Sequence, residues 1–162
     1  MCFFRLIDGL RVLSCAYDDS LRIWDLDSGS TVTTFGANHG GQVFDCSWFP
    51  DQEQVLSCGG DATLKIWSTR TGKLVKTMEG HTKHVRGCWV FDDGKQVLSC
   101  SKDSNLMVWD VASGKSTKTL EGHEDLVDRC SVFVRDGISY GTHDLMFIRC
   151  TCWCLQRFMT LV

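Results

Sequence analysis

Residues 56–67 read Leu-Ser-Cys-Gly-Gly-Asp-Ala-Thr-Leu-Lys-Ile-Trp, and the same arrangement of Leu-Ser-Cys, Asp, Leu and Trp returns at 13–24 and 98–109. The closing tryptophan therefore recurs at intervals of 43 and 42 residues, as Trp24, Trp67 and Trp109. A histidine also recurs at intervals of 42 residues, as His39, His81 and His123. Self-similarity at a fixed period indicates that the chain repeats one supersecondary unit.

Each unit contains short stretches in which apolar and polar side chains alternate, separated by turn residues, and this pattern predicts strands. The clearest strands end at the tryptophans, over 21–24, 64–67 and 106–109. Turns follow them at Ser28-Gly29, Thr71-Gly72 and Ser113-Gly114. Four strands and no helix in each period predict an all-β fold of four-stranded antiparallel sheets, stacked like the blades of a propeller.

Two units begin with a Gly-His pair, Gly80-His81 and Gly122-His123. Two end with a Trp-Asp pair, Trp24-Asp25 and Trp109-Asp110. With these pairs and the repeated run to Trp, the chain resembles the WD40-repeat β-propeller family over about residues 3–134. Asn38 precedes His39 and Ser68 follows Trp67, where the family has Gly and Asp.

The period divides the chain into units at 3–36, 37–78, 79–120 and 121–134, followed by a divergent tail at 135–162. A closed propeller needs roughly four to eight blades, whereas here two units are complete and two are partial. We therefore expect a partial or truncated propeller, present as a fragment. Its open blade edges are expected to pair with another chain.

Three explanations of the tail stay open. It can contain degenerate strands of a fourth blade, with remnants at His143-Asp144 and Cys152-Trp153; it can be foreign sequence from a retained intron, a frameshift or a gene-model error; or it can hold a metal. The residues of such a metal site would be His143, Cys150, Cys152 and Cys154. Their spacing is not that of a structural zinc site, and the abrupt break favours foreign sequence, so no metal or other cofactor is predicted.

Serine, histidine and aspartate at constant separation also compose a hydrolase triad. A nucleophile is needed once, however, whereas Ser and Asp return with each of the three repeated tryptophans, and the complete set returns with Trp67 and Trp109. A polar network from the Trp N–H through Ser and His to Asp is therefore expected, and the resemblance implies that it is structural. The expected members are His39, Ser57, Asp61 and Trp67; His81, Ser99, Asp103 and Trp109; and, in the first unit, Ser14, Asp18 and Trp24. We expect no catalytic residue.

The resemblance also implies a face that contacts partners, formed by the residues three and five positions after the loop histidine and by the residue before the network aspartate. These are Gln42, Phe44, His84, Arg86, Leu126, Asp128, Tyr17, Gly60 and Lys102. His84, Arg86 and Lys102 favour an acidic peptide or another carboxylate-bearing protein partner. The alternative is that Phe44 and Leu126 complete the strand packing while the three basic residues are merely solvated.

The sequence thus predicts a non-enzymatic scaffold for protein–protein interaction. The alternative is a segment of a larger protein, either a nucleotide-binding signalling protein or a ubiquitin-ligase receptor; Trp67-Ser68-Thr69-Arg70 resembles the Trp-Asp-x-Arg box of cullin-type ligase receptors. Gly40-Gly41 and Gly59-Gly60 are isolated pairs rather than a phosphate-binding loop.

Charge, hydropathy and cysteine spacing exclude other classes. A net charge of −3 argues against nucleic acid, and no apolar stretch approaches the roughly 18 residues of a membrane helix. The first ten residues make a poor signal peptide, so we expect an intracellular, cytoplasmic protein, with the nucleus left open. Six of the ten cysteines repeat two positions, and we expect them to be buried thiols: Cys15, Cys58 and Cys100, and Cys46, Cys88 and Cys130.

Overall fold

The computed structural model describes residues 2–5, 10–36, 39–134, 146–151 and 156–161, with side chains described over 10–36 and 39–130. These residues form four antiparallel sheets in which each strand pairs with the next along the chain. The first sheet contains β1 (Cys2–Arg5), β2 (Arg11–Cys15), β3 (Ser20–Asp25) and β4 (Thr31–Gly36). The second contains β5 (Val43–Trp48), β6 (Gln54–Gly59), β7 (Leu64–Ser68) and β8 (Leu74–Met78).

The third sheet contains β9 (Val85–Phe91), β10 (Gln96–Ser101), β11 (Leu106–Asp110) and β12 (Lys115–Leu120), with a 3-10 turn at Asp92–Gly94 after β9. The fourth contains β13 (Arg129–Val134), β14 (Met146–Thr151) and β15 (Gln156–Leu161). The prediction of an all-β chain with four-stranded antiparallel sheets is confirmed for the first three sheets. The described sheets do not close into a ring.

The last two strands lie in the stretch predicted to be a divergent tail. β14 pairs with β13 over six residues, from Arg129 opposite Thr151 to Val134 opposite Met146, and β15 pairs with β14. A degenerate fourth blade would give this arrangement.

Neighbouring sheets pack face to face through apolar side chains. One face of the first sheet offers Leu13, Cys15, Leu21, Ile23 and Phe35, and these pack against Val43, Cys46, Val55 and Trp67 of the second sheet. The rings of Phe35 and Trp67 lie 6.1 Å apart. The second and third sheets repeat this contact, with Met78 in the position of Phe35 and Trp109 in the position of Trp67. Each repeated tryptophan of these two sheets thus fills the space against the sheet before it.

A β-bulge precedes the tryptophan in each of the first three sheets. The register between the third and fourth strands shifts between Ile23 and Trp24, between Ile66 and Trp67, and between Val108 and Trp109. A bulge increases the local twist of a strand and redirects its side chains. The β-bulge therefore recurs immediately before the repeated tryptophan.

All six repeated cysteines are buried as thiols and not joined in disulfides, as the sequence predicts. None of the described residues belongs to a helix long and apolar enough to cross a membrane.

Gly59, at the end of β6, provides a test of how closely the second sheet is packed. A Cβ at this position would lie 2.4 Å from the Gln42 carbonyl oxygen and 2.6 Å from the His39 Cβ, closer than real atoms approach. We expect Gly59→Ala to lower the free energy of unfolding by about 1–3 kcal/mol, measured by urea denaturation.

The neighbouring glycine is the matched control, since a Cβ at Gly60 would meet nothing nearer than 3.7 Å. Gly60→Ala should change the free energy of unfolding by about 0.5 kcal/mol at most. Equal losses in the two variants would contradict the packing described here.

Candidate functional site

The second sheet brings its four predicted network residues together. The Trp67 Nε1–H donates to the Ser57 Oγ at 2.8 Å, and the Ser57 Oγ lies 2.7 Å from the His39 Nε2. The His39 Nδ1 lies 2.8 Å from the Asp61 Oδ1. Ser57 and His39 are fully buried. Because an indole only donates and a carboxylate only accepts, this order fixes the protons: His39 donates from Nδ1 and accepts from the Ser57 hydroxyl at Nε2.

Electrostatics support a neutral imidazole facing an ionised carboxylate. Burial lowers the pKa of His39, although Asp61 acts in the opposite direction. Burial acts to raise the pKa of Asp61, but hydrogen bonds from His39 and Lys65 outweigh it and bring that pKa to about 2. The Lys65 Nζ lies 2.7 Å from the Asp61 Oδ2 and was not anticipated from the sequence. Asp61 therefore stays charged at neutral pH.

The third sheet repeats the network. The Trp109 Nε1–H donates to the Ser99 Oγ at 2.8 Å, which lies 2.7 Å from the His81 Nε2, and the His81 Nδ1 lies 2.7 Å from the Asp103 Oδ2. Burial acts to raise the pKa of Asp103, but hydrogen bonds from His81 and from backbone N–H groups lower it overall. Two copies of one arrangement lie in consecutive sheets.

Within the described residues, the first and fourth sheets hold only parts of a network. In the first, the Trp24 Nε1–H donates to the Ser14 Oγ at 2.7 Å, whereas Asp18 accepts from the backbone N–H of Ser20 at 3.1 Å. In the fourth, the His123 Nε2 is buried and has no hydrogen-bond partner among the described residues. The positions 42 residues after Ser99, Asp103 and Trp109 hold Gly141, Leu145 and Thr151.

Two residues predicted to face partners are placed by β-bulges. In β5 the pairing with β6 passes from Val43 to Asp45, so Phe44 is the extra residue. In β9 the pairing with β10 passes from Val85 to Gly87, so Arg86 is the extra residue. A bulge turns such a side chain out of the regular alternation. The sequence gives no direct sign of these bulges, although Phe44 and Arg86 share a repeat position.

Residues from all four units meet around Phe44 and Arg86. We name Tyr17, Phe44, His84, Arg86 and Asp128 the rim cluster. Ring centroids lie 5.6 Å apart for Tyr17 and Phe44, and 5.8 Å apart for Phe44 and His84. The Arg86 guanidinium carbon lies 4.3 Å from the Phe44 ring centroid, and the Arg86 Nε lies 2.9 Å from the Asp128 Oδ1. The cluster is thus one continuous series of contacts.

The rim cluster is unevenly exposed. Tyr17 is 60% exposed and His84 is exposed, whereas Phe44 is buried. Burial acts to lower the pKa of Arg86, but hydrogen bonds to Asp128 and Tyr17 raise it overall. The Arg86 charge is therefore balanced within the protein, which the sequence did not reveal.

Of the other predicted face residues, Lys102 is hydrogen-bonded to a member of the cluster, whereas Gly60 is hydrogen-bonded to Gln42. Backbone hydrogen bonds of 3.0 Å join Gly60 N–H to the Gln42 carbonyl and Lys102 N–H to the His84 carbonyl. Lys102 is partly exposed and, within the described part of the chain, has no ion-pair partner. Leu126 is partly exposed, and its N–H donates to the Asp125 carboxylate.

A separate depression of about 570 Å³ lies at the Trp67-Ser68-Thr69-Arg70 segment. Its lining is Gln52, Glu53, Gln54, Ser68, Thr69, Arg70 and Val75. Of the four residues considered for a metal, His143, Cys152 and Cys154 fall outside the described residues, and Cys150 lies in β14.

Comparison with known proteins agrees with these repeats. Residues 29–68 and 72–110 match the family profile described as "WD domain, G-beta repeat", and each stretch contains one complete network. The chain is 42% identical over 45 residues to "WD repeat-containing protein WDS homolog" of Arabidopsis thaliana, which is 27% of this chain and 9% of that protein.

Among solved structures, the chain matches "Crystal structure of WD40 beta propeller domain of Doa1" with a TM-score of 0.73 and 18% identity. The match covers 90% of this chain and 45% of that one, and it shows the fold. The chain spans less than half the length of the relatives it matches.

The Asp61 carboxylate predicts an acid-dependent loss of stability. Its pKa is about 2 in the folded chain against an ordinary 3.8, so its contribution is complete above pH 3.8 and is lost as the pH falls towards about 2. We expect the difference in unfolding free energy between the wild type and Asp61→Asn to shrink across this range, measured by urea denaturation at several pH values. Asp27→Asn, in an exposed turn, is the control. The assignment would be contradicted if the difference in unfolding free energy for Asp61→Asn shrank no more across this pH range than the difference for Asp27→Asn.

Proposed function

Since the chain belongs to the WD40-repeat family, we propose that it is a non-enzymatic scaffold that binds a protein or peptide at the rim cluster. WD40 repeat domains are generally scaffolds for protein interaction and are usually non-catalytic. The observation that carries the proposal is the assembly of the cluster from four units, with contacts running from Tyr17 through Phe44 and Arg86 to Asp128. A composite surface of this kind forms only when the repeats stack.

The exposed chemistry of the rim favours an acidic segment that also carries an apolar group. Tyr17 offers an exposed ring, and aromatic side chains are frequent anchors at protein interfaces. Lys102 offers a cation without an internal partner among the described residues. Arg86 is engaged with Asp128 and Phe44, so its role is to hold the cluster in shape. Lys102 and His84, more than Arg86, are thus the groups suited to a carboxylate.

The Ser, His and Asp sets are proposed to be structural. The Ser57 hydroxyl is fully buried and is used twice, as a donor to His39 and as an acceptor from Trp67. A catalytic serine must reach a substrate carbonyl beside an oxyanion site. The same geometry in the third sheet supports a role in holding each sheet together.

The second candidate function is a receptor or sensor segment of a larger protein, either a nucleotide-binding signalling protein or a ubiquitin-ligase receptor. The depression beside Ser68, Thr69 and exposed Arg70 supports it, because that surface lies on residues outside the rim cluster. We place the chain inside the cell, in the cytoplasm or the nucleus, because disulfides are rare in these compartments and its six repeated cysteines are free thiols. Pairing of open blade edges with another chain stays part of the proposal.

Peptide selection on the purified chain tests the proposal. A displayed library of random peptides should yield binders rich in Asp and Glu, and fluorescence anisotropy should give each affinity. Tyr17→Ala and Lys102→Glu should each weaken these binders about tenfold, since loss of an interface anchor costs roughly 1–2 kcal/mol.

Two remote substitutions are the matched controls. Val32→Ala shortens an exposed apolar side chain on β4, and Lys73→Glu makes the same charge change at an exposed position. Neither should alter the affinity. Binders unaffected by Tyr17→Ala and Lys102→Glu would overturn the rim site, and binders sensitive to Arg70→Glu would favour the second candidate.

A further inference from the structure

The repeated cysteines form one thiol pair at each junction between neighbouring sheets. One member lies at or near the end of the second strand of a sheet, and the other lies on the first strand of the next sheet. Each pair shares one apolar cluster: Cys15 with Cys46, Cys58 with Cys88, and Cys100 with Cys130. The described part of the chain thus has three dithiols at equivalent places.

Close approach is clearest at the third junction. The Cys100 Sγ lies 2.9 Å from the position that a Cβ on Gly87 would occupy, and the Cys130 backbone nitrogen lies 3.4 Å from the same point. The absence of a side chain at Gly87 therefore lets the sulfur reach the backbone of the next sheet. Burial raises the pKa of the Cys100 thiol well above its usual value, and the neighbouring Cys130 thiol acts in the same direction.

The second junction places two fully buried thiols, Cys58 and Cys88, in one apolar cluster. Burial raises the pKa of the Cys88 thiol well above its usual value, and the neighbouring Cys58 acts in the same direction. Because the thiolate is the reactive form, the Cys88 thiol is protected while the sheets stay in contact.

We propose that these three dithiols are modification sites at which oxidation cross-links neighbouring sheets. The oxidant in this reaction is hydrogen peroxide. One thiol is oxidised to a sulfenic acid while peroxide is reduced and releases water; the partner sulfur then attacks the sulfenic sulfur, forms the disulfide and releases a second water. Each cross-link takes two thiol hydrogens and two electrons from the protein.

Separation of the sheets controls the reaction. A brief opening of a junction exposes the thiols to solvent and relieves the burial that protects them. When the sheets close again, the partner sulfur lies in the same apolar cluster, so the disulfide joins cysteines of adjacent sheets. The cross-links close loops of about 30 residues, which lowers the entropy of the unfolded chain.

Mass spectrometry of the whole chain treated with hydrogen peroxide under native conditions tests the proposal. After remaining thiols are blocked and the chain is digested, the linked peptides should join Cys15 to Cys46, Cys58 to Cys88, and Cys100 to Cys130. The urea midpoint of the oxidised chain should rise and return to its starting value after reduction. Moderate urea, which opens the junctions, should accelerate linking several-fold.

Two variants make the result decisive. Cys88→Ser should abolish the second linkage and leave the other two, whereas Cys152→Ser, outside the repeated positions, should leave all three. Linkages between cysteines of non-adjacent sheets, sulfinic acids without disulfides, a lack of reaction, or a lower urea midpoint would each overturn the proposal.

Discussion

The Ser57 hydroxyl is the point on which the second sheet depends, because it accepts from the Trp67 indole at 2.8 Å and donates to the His39 imidazole at 2.7 Å. Each polar group left without a partner in such a buried site costs about 1–3 kcal/mol. The indole so held also packs against Phe35 of the preceding sheet. One hydroxyl therefore joins the polar network of one sheet to the apolar contact between two sheets, and Ser99 does the same in the third sheet.

The rim cluster follows from the same construction. The loop that carries His39 is fixed by the network, and β5 begins shortly after it, so the bulge at Phe44 is held at the edge of the sheet. The equivalent loop at His81 places Arg86 in the third sheet. Phe44, Arg86 and Asp128 each lie five residues after the histidine of their unit, so side chains distant in sequence meet. The networks thus support the proposed binding face without contacting a partner.

The networks were predictable from the sequence because donor and acceptor types recur at fixed spacing, and the all-β fold was predictable because strand periodicity recurs with them. Contacts between sheets were not, since the ion pair of Arg86 with Asp128 and the thiol pairs depend on how sheets stack. The expectation that Arg86 offers a free charge therefore needs revision. β14 and β15 lie in the tail, for which degenerate strands were one of three alternatives and not the favoured one: backbone pairing tolerates sequences that have lost the motif residues.

The most direct test of the central claim is hydrogen exchange of the tryptophan indole Nε1–H groups, followed by NMR on the 15N-labelled chain. The Trp67 and Trp109 N–H groups should exchange far more slowly than that of Trp24, because their serine acceptors are also bound to a buried histidine. Trp24 is partly exposed, and its acceptor Ser14 has no histidine partner among the described residues. Exchange of Trp67 and Trp109 as fast as that of Trp24 would contradict the account.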